Sequence, residues 1–592
     1  MAKKVSVALR SKETLLLRAA AIATMLVSGW LVLSRAWFTD DAYFSFRSID
    51  NFINGYGLTW NVTERVQAYT HPLWVLLLSA FYFFTHEIYL TTIIISLALA
   101  LAVIGVIYRQ SENKWQALAA IGLLSLSTAY VDYSTSGLEN PLTHFLLIVF
   151  LFVFLQKKSP SKLIWMSLLA ALAAVNRLDT VLFYAPALVY EWWQQGDRWR
   201  ATGQVALGFI PLAAWEIFSV IYYGFPFPNT YYAKAQNYVA LGEEIWAGLN
   251  YFLFTLKFDP LTWVVIVSAF ITALWQRTKL AIAIMLGVLL YLLYILQIGG
   301  DFMGGRFLSA AYLASVFVLL YFLFPKLTVK KHWVLIPITL VLSFVASSPT
   351  YFLYARDFQT ARWNGVVDER MVYYATDFLR IEDLHDFNSG RRYNLLNKVA
   401  FFVKSFTRGS LFRLEAENDW IDLGRDIRAQ AEAEGSLTLP QGANGFTGYY
   451  AGPNAYIVNN LALTDGLLAR VPPVYNPNWR SGHFKRLTPA GYLEAEAGAQ
   501  AGLDDLTLDA YFQKIRSVIE GPLFTNNRWQ AIWELNTHKF DDLLPGYSEK
   551  FRFPELRDLD IEIVPVDGSS VDLNIDFGGL GSAAQVELPH PV

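Results

Sequence analysis

The sequence predicts a polytopic α-helical membrane protein with a C-terminal soluble α+β domain outside the membrane. Three observations predict it. Of 592 residues, 54% are hydrophobic and only 16% charged, where soluble chains carry roughly 25% charged residues. Nearly all the long apolar runs fall before residue 350, and from about 351 onward the composition turns to that of a soluble domain. Four basic loops also share one side of a single topology, as follows.

Apolar segment one runs from about Leu15 to Phe38, after Lys3, Lys4, Arg10, Lys12 and Arg18. Basic flanks stay in the cytoplasm. With no small-residue cleavage site after the run, it reads as an uncleaved anchor. Asp40 and Asp41 then sit just outside, opening a first outer loop, 39–70, that turns at Gly55 and Gly57. DAYFSFRSIDNFI predicts a short amphipathic helix lying on the membrane, with Tyr43, Phe44 and Phe46 in the interface.

Apolar runs 72–86 and 88–108 follow His71. The basic loops are Lys157–Lys158–Lys162, Arg198–Arg200, Arg277–Lys279 and Lys326–Lys330–Lys331. All four are cytoplasmic if 72–108 makes one net crossing, so 72–86 is re-entrant or interface-lying. Further spans are expected at 115–132, 140–156, 162–177, 180–194, 203–224, 258–275, 280–297, 306–324 and 333–350, about eleven crossings at ~20 residues each. Residues 1–350 are then the membrane domain and 351–592 the outer domain, with the N-terminus in the cytoplasm.

In the outer half, Tyr351 to Asp386 reads as an amphipathic helix. A buried strand is expected at Ala455 to Val458. Asp465 follows in LALTDGLLARVPP. Trp479 to Ala495 holds His483, Lys485 and Arg486 beside aromatics, a mix that suits an anionic or sugar ligand, or an ordinary solvated loop. Residues 502–550 read as helices, and 550–592 as strands with a polar tail.

The net charge of −3 gives no basis for a nucleic-acid partner. The absence of cysteine excludes disulfides and Cys-ligated metals. No P-loop, GxGxxG or HExxH is present, which speaks against a nucleotide cofactor.

The candidate site begins at Asp40 and Asp41. Adjacent carboxylates repel, so they share a proton or a cation, a state suited to acid–base chemistry; alternatively they cap a helix N-terminus. On the same predicted side lie Glu139 in SGLENPL, Arg177 and Asp179 in NRLD, Asn229 and Lys234 in FPNTYYAK, and Asp301 with Arg306 in GGDFMGGRF. Charges at span ends are costly and face a cavity or a partner. Five such clusters on one face predict a single outward-facing polar cavity. Taken singly, each has a plain alternative: Arg177 pairs with Asp179, Glu139 begins a helix, Lys234 snorkels to headgroups.

These stretches, with DDAYFSFR, GYGLTWNVTERVQAYTHPLW, LALTDGLLARVP and GHFKRLTPAGY, resemble in order the GT-C superfamily of polyprenyl-phosphate-sugar-dependent glycosyltransferases. Within it the chain looks most like the terminal β-(1→2)-arabinofuranosyltransferases of cell-wall assembly. The resemblance spans roughly residues 38–492. It departs at LALTDG, where Ala462 and Gly466 stand in place of an expected glycine and proline.

The resemblance implies a polyprenyl-phosphate-linked sugar donor, membrane lipids as surroundings, a glycan acceptor such as arabinan, and the outer face of a bacterial plasma membrane. Its acidic motif falls on Asp40 and Asp41. One is expected to take the acceptor's proton, the other to orient the acceptor or hold a divalent cation (Mg, Mn or Ca). Arg177, Lys234 and Arg306 are expected at the departing phosphate, with Arg47 and Arg65 behind them. Glu139, Asp301 and Asn229 suit sugar hydroxyls, and Tyr43, Trp60, Tyr69 and Trp74 a pocket wall. Glu64, His71, Asp179, Asp465 and His483 complete the substrate-binding candidates. The rival reading is a lipid or sugar transporter with a charged outward-facing cavity, although no related halves are visible.

Overall fold

The computed structural model describes residues 2–157, 159–235, 237–327, 338–346, 350, 362–373, 378, 415–442, 445–474, 479–545, 560–566, 570–576 and 584–586. Up to residue 318 its regular elements are helices. They are α1 (Ala2–Ser34), α2 (Asp40–Ile53), α3 (Pro72–Thr85), α4 (Ile88–Gln110), α5 (Lys114–Leu126), α6 (Thr128–Asp132), α7 (Asn140–Leu155) and α8 (Lys162–Asn176). Then come α9 (Val181–Trp193), α10 (Arg198–Gly208), α11 (Ile210–Tyr222), α12 (Asn229–Ala235), α13 (Leu241–Phe258), α14 (Pro260–Gln276), α15 (Lys279–Gln297) and α16 (Leu308–Val318).

Four helices are long and apolar enough to cross a membrane: Thr14–Ser34 within α1, α4, α15, and Leu308–Lys326, which begins as α16. The bent pairs α10–α11 (50°) and α13–α14 (108°) raise the number to six if each is one span. The chain is a multi-pass membrane protein. Helices α3, α5, α7 and α8 are apolar but have only 14, 13, 16 and 15 residues. At ~1.5 Å per residue they fall short of a ~30 Å hydrocarbon core.

Length and apolarity in the described residues therefore support fewer than eleven crossings. The segment expected at 115–132 stops at Leu126, because Ser127 caps a new helix, its Oγ accepting the Tyr130 N–H at 3.2 Å. The segment expected at 203–224 is the bent pair. The one expected at 333–350 lies largely outside the described residues.

Two expectations about local structure are corrected. The helix over DAYFSFRSIDNFI is α2, but Tyr43, Phe44 and Phe46 are buried rather than interfacial. The rings of Phe38, Tyr43, Phe46 and Tyr89 meet edge to face, with centroids 6.3, 5.6, 5.0 and 4.9 Å apart in four pairs. That geometry adds to burial what a headgroup contact does not offer. Within Tyr351–Asp386, the described residues form an antiparallel hairpin of β1 (Arg362–Trp363) and β2 (Val366–Val367), not a helix through them. Asn364 (φ 47°) and Gly365 (φ 81°) make its turn, the Asn-Gly pairing that tight hairpins favour. The rest of that stretch, Phe378 and the turn of helix Glu369–Val372 aside, lies outside the described residues.

The chain divides into two compact units: Met1–Ile49, Thr70–Trp215 and Ala240–Asp419 form one, and Asp50–Tyr69, Glu216–Val239 and Trp420–Val592 the other. The first is the helical bundle and holds buried ion pairs, Arg35–Asp132 and Lys162–Glu191 (2.9 Å). In the second, β3 (Leu437–Gln441) pairs in parallel with β4 (Ala455–Asn459), which covers the expected strand. Helices α17 (Asp419–Glu434), α18 (Leu506–Ile519) and α19 (Asn526–Asn536) follow, the latter two within the stretch 502–550 that reads as helices. Leu467, Leu468, Tyr492, Phe512, Ile515, Val518 and Ile532 form its core. Strands β5 (Asp560–Val566), β6 (Ser570–Asp576) and β7 (Ala584–Val586) make an antiparallel sheet, as expected after 550.

Candidate active site

In the helical unit the charged span ends converge on Glu139. The loop that carries it is fixed first. The Ser136 carbonyl accepts the Thr39 N–H at 3.2 Å, and the Gly137 carbonyl accepts the Trp74 indole N–H at 2.9 Å. Gly137 has φ +82°, and a Cβ there would lie 2.6 Å from Ala42 Cβ. A side chain is excluded by both conformation and space, so the loop lies directly against the first turn of α2.

Glu139 occupies the N-cap position of α7, yet its side chain makes no capping bond. Its carboxylate faces cations instead. Oε1 lies 2.7 Å from Arg177 Nη1 and 3.3 Å from Arg306 Nη2, and Oε2 lies 3.2 Å from His71 Nδ1. Arg177 also donates through Nε to Asp179 at 2.8 Å, and Arg306 Nη1 lies 3.5 Å from Asp301. Both guanidiniums approach the Phe307 ring, at 4.5 and 5.7 Å from its centroid. The Arg177–Asp179 pair is thus real, but it is part of a wider network.

His71 connects this network to α2, because its Nε2 lies 2.7 Å from Ser45 Oγ. A neutral ring with its Nδ1 proton toward Glu139 leaves Nε2 to accept from Ser45. Ser45 stands one helical turn after Asp41. Asp40 and Asp41 lie in the first turn of α2, where the helix N-terminus favours negative charge. From that position Asp41 contributes to the field on Arg306. Tyr43 and Arg47 are buried on the same helix.

Burial alone would raise the Glu139 pKa. The charges of Arg306, Arg177 and His71 overcome it and hold the carboxylate well below its usual range. Burial pushes His71 down to about 4, against the pull of Glu139. Burial also opposes the charge of Arg177, but Asp179 and Glu139 raise it well above its ordinary value. The site thus holds ionised carboxylate and guanidinium groups beside a neutral imidazole.

Two donors remain unused. Arg306 Nε is buried with no acceptor among the described residues. Arg177 makes its bonds through Nε and Nη1, and at 16% exposure its side chain is the most accessible of the group. Among the described residues there is no group of three or more His, Asp or Glu side chains able to hold a metal. The Asp40–Asp41 pair would suit only an ion such as Mg²⁺ that keeps waters and takes ligands from a bound phosphate.

The loop after α15 is fixed by the hairpin. Gly304 donates to the Val367 carbonyl and Val367 to the Phe302 carbonyl, each at 2.8 Å. Gly304 and Gly305 line a cavity with Trp37, Tyr133, Asp259, Asp368 and Arg370. Sequence reasoning missed Ser45, Asp259 and the Arg35–Asp132 pair. The last had the same signal as the others, charge abutting an apolar run. Asp259 sits in the kink between α13 and α14 and accepts from Thr262 Oγ1 at 2.7 Å and from Ser127 Oγ and Ala129 N at 3.1 Å each.

The remaining candidates lie in the second unit. The Asn229 amide donates to the carbonyls of Ala462 and Asp465, each at 2.9 Å, so it clamps the LALTDG loop. Asp465 accepts from the Leu468 N–H and the Tyr492 hydroxyl, each at 2.7 Å. Glu64 is buried and accepts from Asn61 at 2.9 Å. Lys234 lies along Gly482, beside His483, whose Nδ1 is 3.2 Å from the Ser481 carbonyl. Arg65 donates to backbone carbonyls of Tyr222, Val518 and Gly521. Trp60 and Tyr69 are buried here, while Trp74 is buried in the helical unit.

The sequence profile of the dolichyl-phosphate-mannose-protein mannosyltransferase family matches residues 56–223. The chain is a glycosyltransferase similar to this family and to the relatives below, and the transporter reading is set aside. The chain is 26% identical over 550 residues, 79% of its length and 75% of the relative's, to a terminal β-(1→2)-arabinofuranosyltransferase of Corynebacterium glutamicum. It is 26% identical over 251 residues, 39% of each chain, to the protein of the same name from Mycobacterium tuberculosis. A crystal structure of the Archaeoglobus fulgidus oligosaccharyltransferase superposes with a TM-score of 0.41 at 11% identity, covering 76% of this chain and 65% of that one.

Proposed function

We propose that this glycosyltransferase moves arabinofuranose from a polyprenyl-phosphate donor to an arabinan-type glycan of the cell envelope, on the outer face of the membrane. The observation that carries the chemistry is the pair of arginines held on Glu139, with unused donors at Arg306 Nε and Arg177, in the field of Asp41. The sugar and acceptor rest on the two arabinofuranosyltransferase relatives.

In this reading the acceptor hydroxyl attacks the anomeric carbon and gives its proton to Asp40 or Asp41. The bond from that carbon to the phosphate oxygen breaks, and polyprenyl phosphate leaves with the electron pair. Arg177 and Arg306 stabilise the charge that develops on it. Glu139, Asp179 and Asp301 hold the two guanidiniums in place, and a divalent cation held by Asp40 or Asp41 would supplement them. We propose residues 1–350, with outer loop 39–70, as the catalytic membrane domain and 351–592 as the extracytoplasmic domain, with 50–69 and 216–239 grouping into the compact unit of 420–592 and the rest of the chain up to 419 into the helical one. Tyr43, Arg47, Glu64, His71, Asn229, Lys234, Asp465 and His483 remain the further substrate-binding candidates.

The test uses purified full-length protein with polyprenyl-phosphoryl-arabinofuranose and a short arabinofuranose acceptor, read by mass spectrometry with and without EDTA. One added pentose, lost in Asp40→Asn or Asp41→Asn, is expected. Transfer only from other lipid-linked sugars would sink the arabinose assignment and keep the enzyme class.

A further inference from the structure

Helix α19 is tied to the end of a bent helix pair that together is long and apolar enough to cross a membrane. Its Arg528 donates to the carbonyls of Ile221 at 2.8 Å and Tyr222 at 2.9 Å, the last residues of α11. Its Asn536 donates to the Gly224 carbonyl at 2.8 Å. Gly224 has φ +85°, and a Cβ there would lie 2.1 Å from Val518 Cγ1 and 3.3 Å from Ile532 Cγ1. Nothing separates α19 from the turn that ends α11.

The depth of that turn follows from the helices before it. α10 has 11 residues and α11 has 13, bent by 50° at Phe209. At ~1.5 Å per residue the pair spans roughly 33 Å from end to end, just more than a ~30 Å hydrocarbon core. Aromatic residues mark both ends. Arg198 stacks on Trp192 and Trp193 where the pair begins, and Phe218, Tyr222 and Tyr223 cluster where it ends. Such residues sit at headgroup depth. If the pair crosses as one span, the turn at Gly224 falls at the membrane surface.

The face that α19 turns away from this anchor is aromatic. Arg528, Ala531, Ile532 and Leu535 are buried, whereas Trp529 and Trp533, one turn apart, are exposed. Phe524, just before the helix, is exposed as well. Phe524 is 78% and Trp533 72% exposed, a large apolar area to leave in water.

We propose that α19 and Phe524 form an interfacial foot, with Phe524, Trp529 and Trp533 inserted at the headgroup–acyl boundary of the bilayer that α10 and α11 cross. Indole suits this depth because its ring is apolar and its N–H reaches polar groups. The occupant is lipid because the helix is bonded to the exit of a span.

The sequence contains no cysteine, so Phe524→Cys, Trp529→Cys and Trp533→Cys each give a single labelling site, with Ala433→Cys on α17 for comparison. Full-length protein in phosphatidylcholine–phosphatidylglycerol nanodiscs would carry an environment-sensitive fluorophore at each site. Labels at 524, 529 and 533 should be blue-shifted and quenched several-fold more by a 5-doxyl lipid than by aqueous iodide. Quenching by iodide with no response to the doxyl lipid would overturn the proposal. So would a blue-shifted label that neither quencher reaches, which would mean a protein covers the stripe.

Discussion

Arg177 Nη1 lies 2.7 Å from Glu139 Oε1 while Arg177 Nε donates to Asp179 at 2.8 Å. One planar guanidinium thus joins two carboxylates and covers the Phe307 ring. A lysine supplies the charge but not the fork or the flat face. Arg177→Lys should lower kcat by ~10²-fold, the range seen when an oxyanion donor is lost, with the thermal midpoint shifted by a few degrees. Initial rates of pentose transfer and thermal unfolding of the same preparation check both. Full activity in the lysine variant would mean that charge alone suffices there.

Glu139→Gln should be more damaging to the fold. It leaves Arg177 and Arg306 without their shared counter-charge, and breaking a buried pair costs about 3–5 kcal/mol. A lower unfolding midpoint, with little protein recovered in folded form, is expected. An unchanged midpoint would show that Asp179 and Asp301 carry the two guanidiniums unaided.

His71 gives the site a pH dependence of defined sign. Its folded pKa is pushed by burial to about 4, from 6.5. A depressed value means stability fully present above 6.5 and lost as pH falls toward 4. Glu139 is also depressed, so its contribution is lost at lower pH, below its ordinary value of 4.5. Wild-type protein should therefore lose thermal stability between pH 6.5 and 4, and His71→Gln should flatten that limb. Parallel slopes would remove His71 from the linkage.

Much of this was legible in the sequence, for a physical reason. Charges beside apolar runs are expensive, so Glu139, Arg177, Asp179, Asp301 and Arg306 stand out individually, and the structure brings these five together in one unit. What did not show was which partner each takes. Ser45 looks like any helical serine until His71 is placed 2.7 Å away. The aromatics of α2 show the same limit: an amphipathic helix suits a bilayer surface and a protein groove equally, and ring–ring packing chose the groove. At 362–367 the hairpin is legible, since Asn364–Gly365 is a strong turn signal that outweighs the helical periodicity around it.

The second unit should respond to pH in the opposite sense. Burial, with neighbouring carboxylates, raises Glu64 well above its ordinary value, and burial raises Asp465 to about 6 and Glu496 to about 7. Raised carboxylates stabilise below their unfolded pKa, and the contribution is lost as pH rises through 6 and 7. Hydrogen exchange of peptides covering β4 and the Tyr492 helix should quicken between pH 5 and 8 beyond the intrinsic rate. Glu496→Gln should blunt that rise. Equal profiles would assign it to another group.

Ala462 stands where the resembling family is expected to have glycine, and its backbone shows why: φ is +61°. The position is imposed, since Ala462 N–H donates to the Asn459 carbonyl at 2.7 Å and its own carbonyl accepts from Asn229 at 2.9 Å. A left-handed alanine costs roughly 1–2 kcal/mol. Glycine would relieve that but adds ~0.5–1 kcal/mol of unfolded-state entropy. It also gives up a fully buried methyl, worth ~0.8 kcal/mol. The terms nearly cancel, so Ala462→Gly should change the unfolding midpoint little and leave acceptor preference unaltered. Ala462→Val adds branching at a positive φ and should destabilise by ~2 kcal/mol or more. A large stabilisation by glycine would mean that the methyl is not packed as the structure shows.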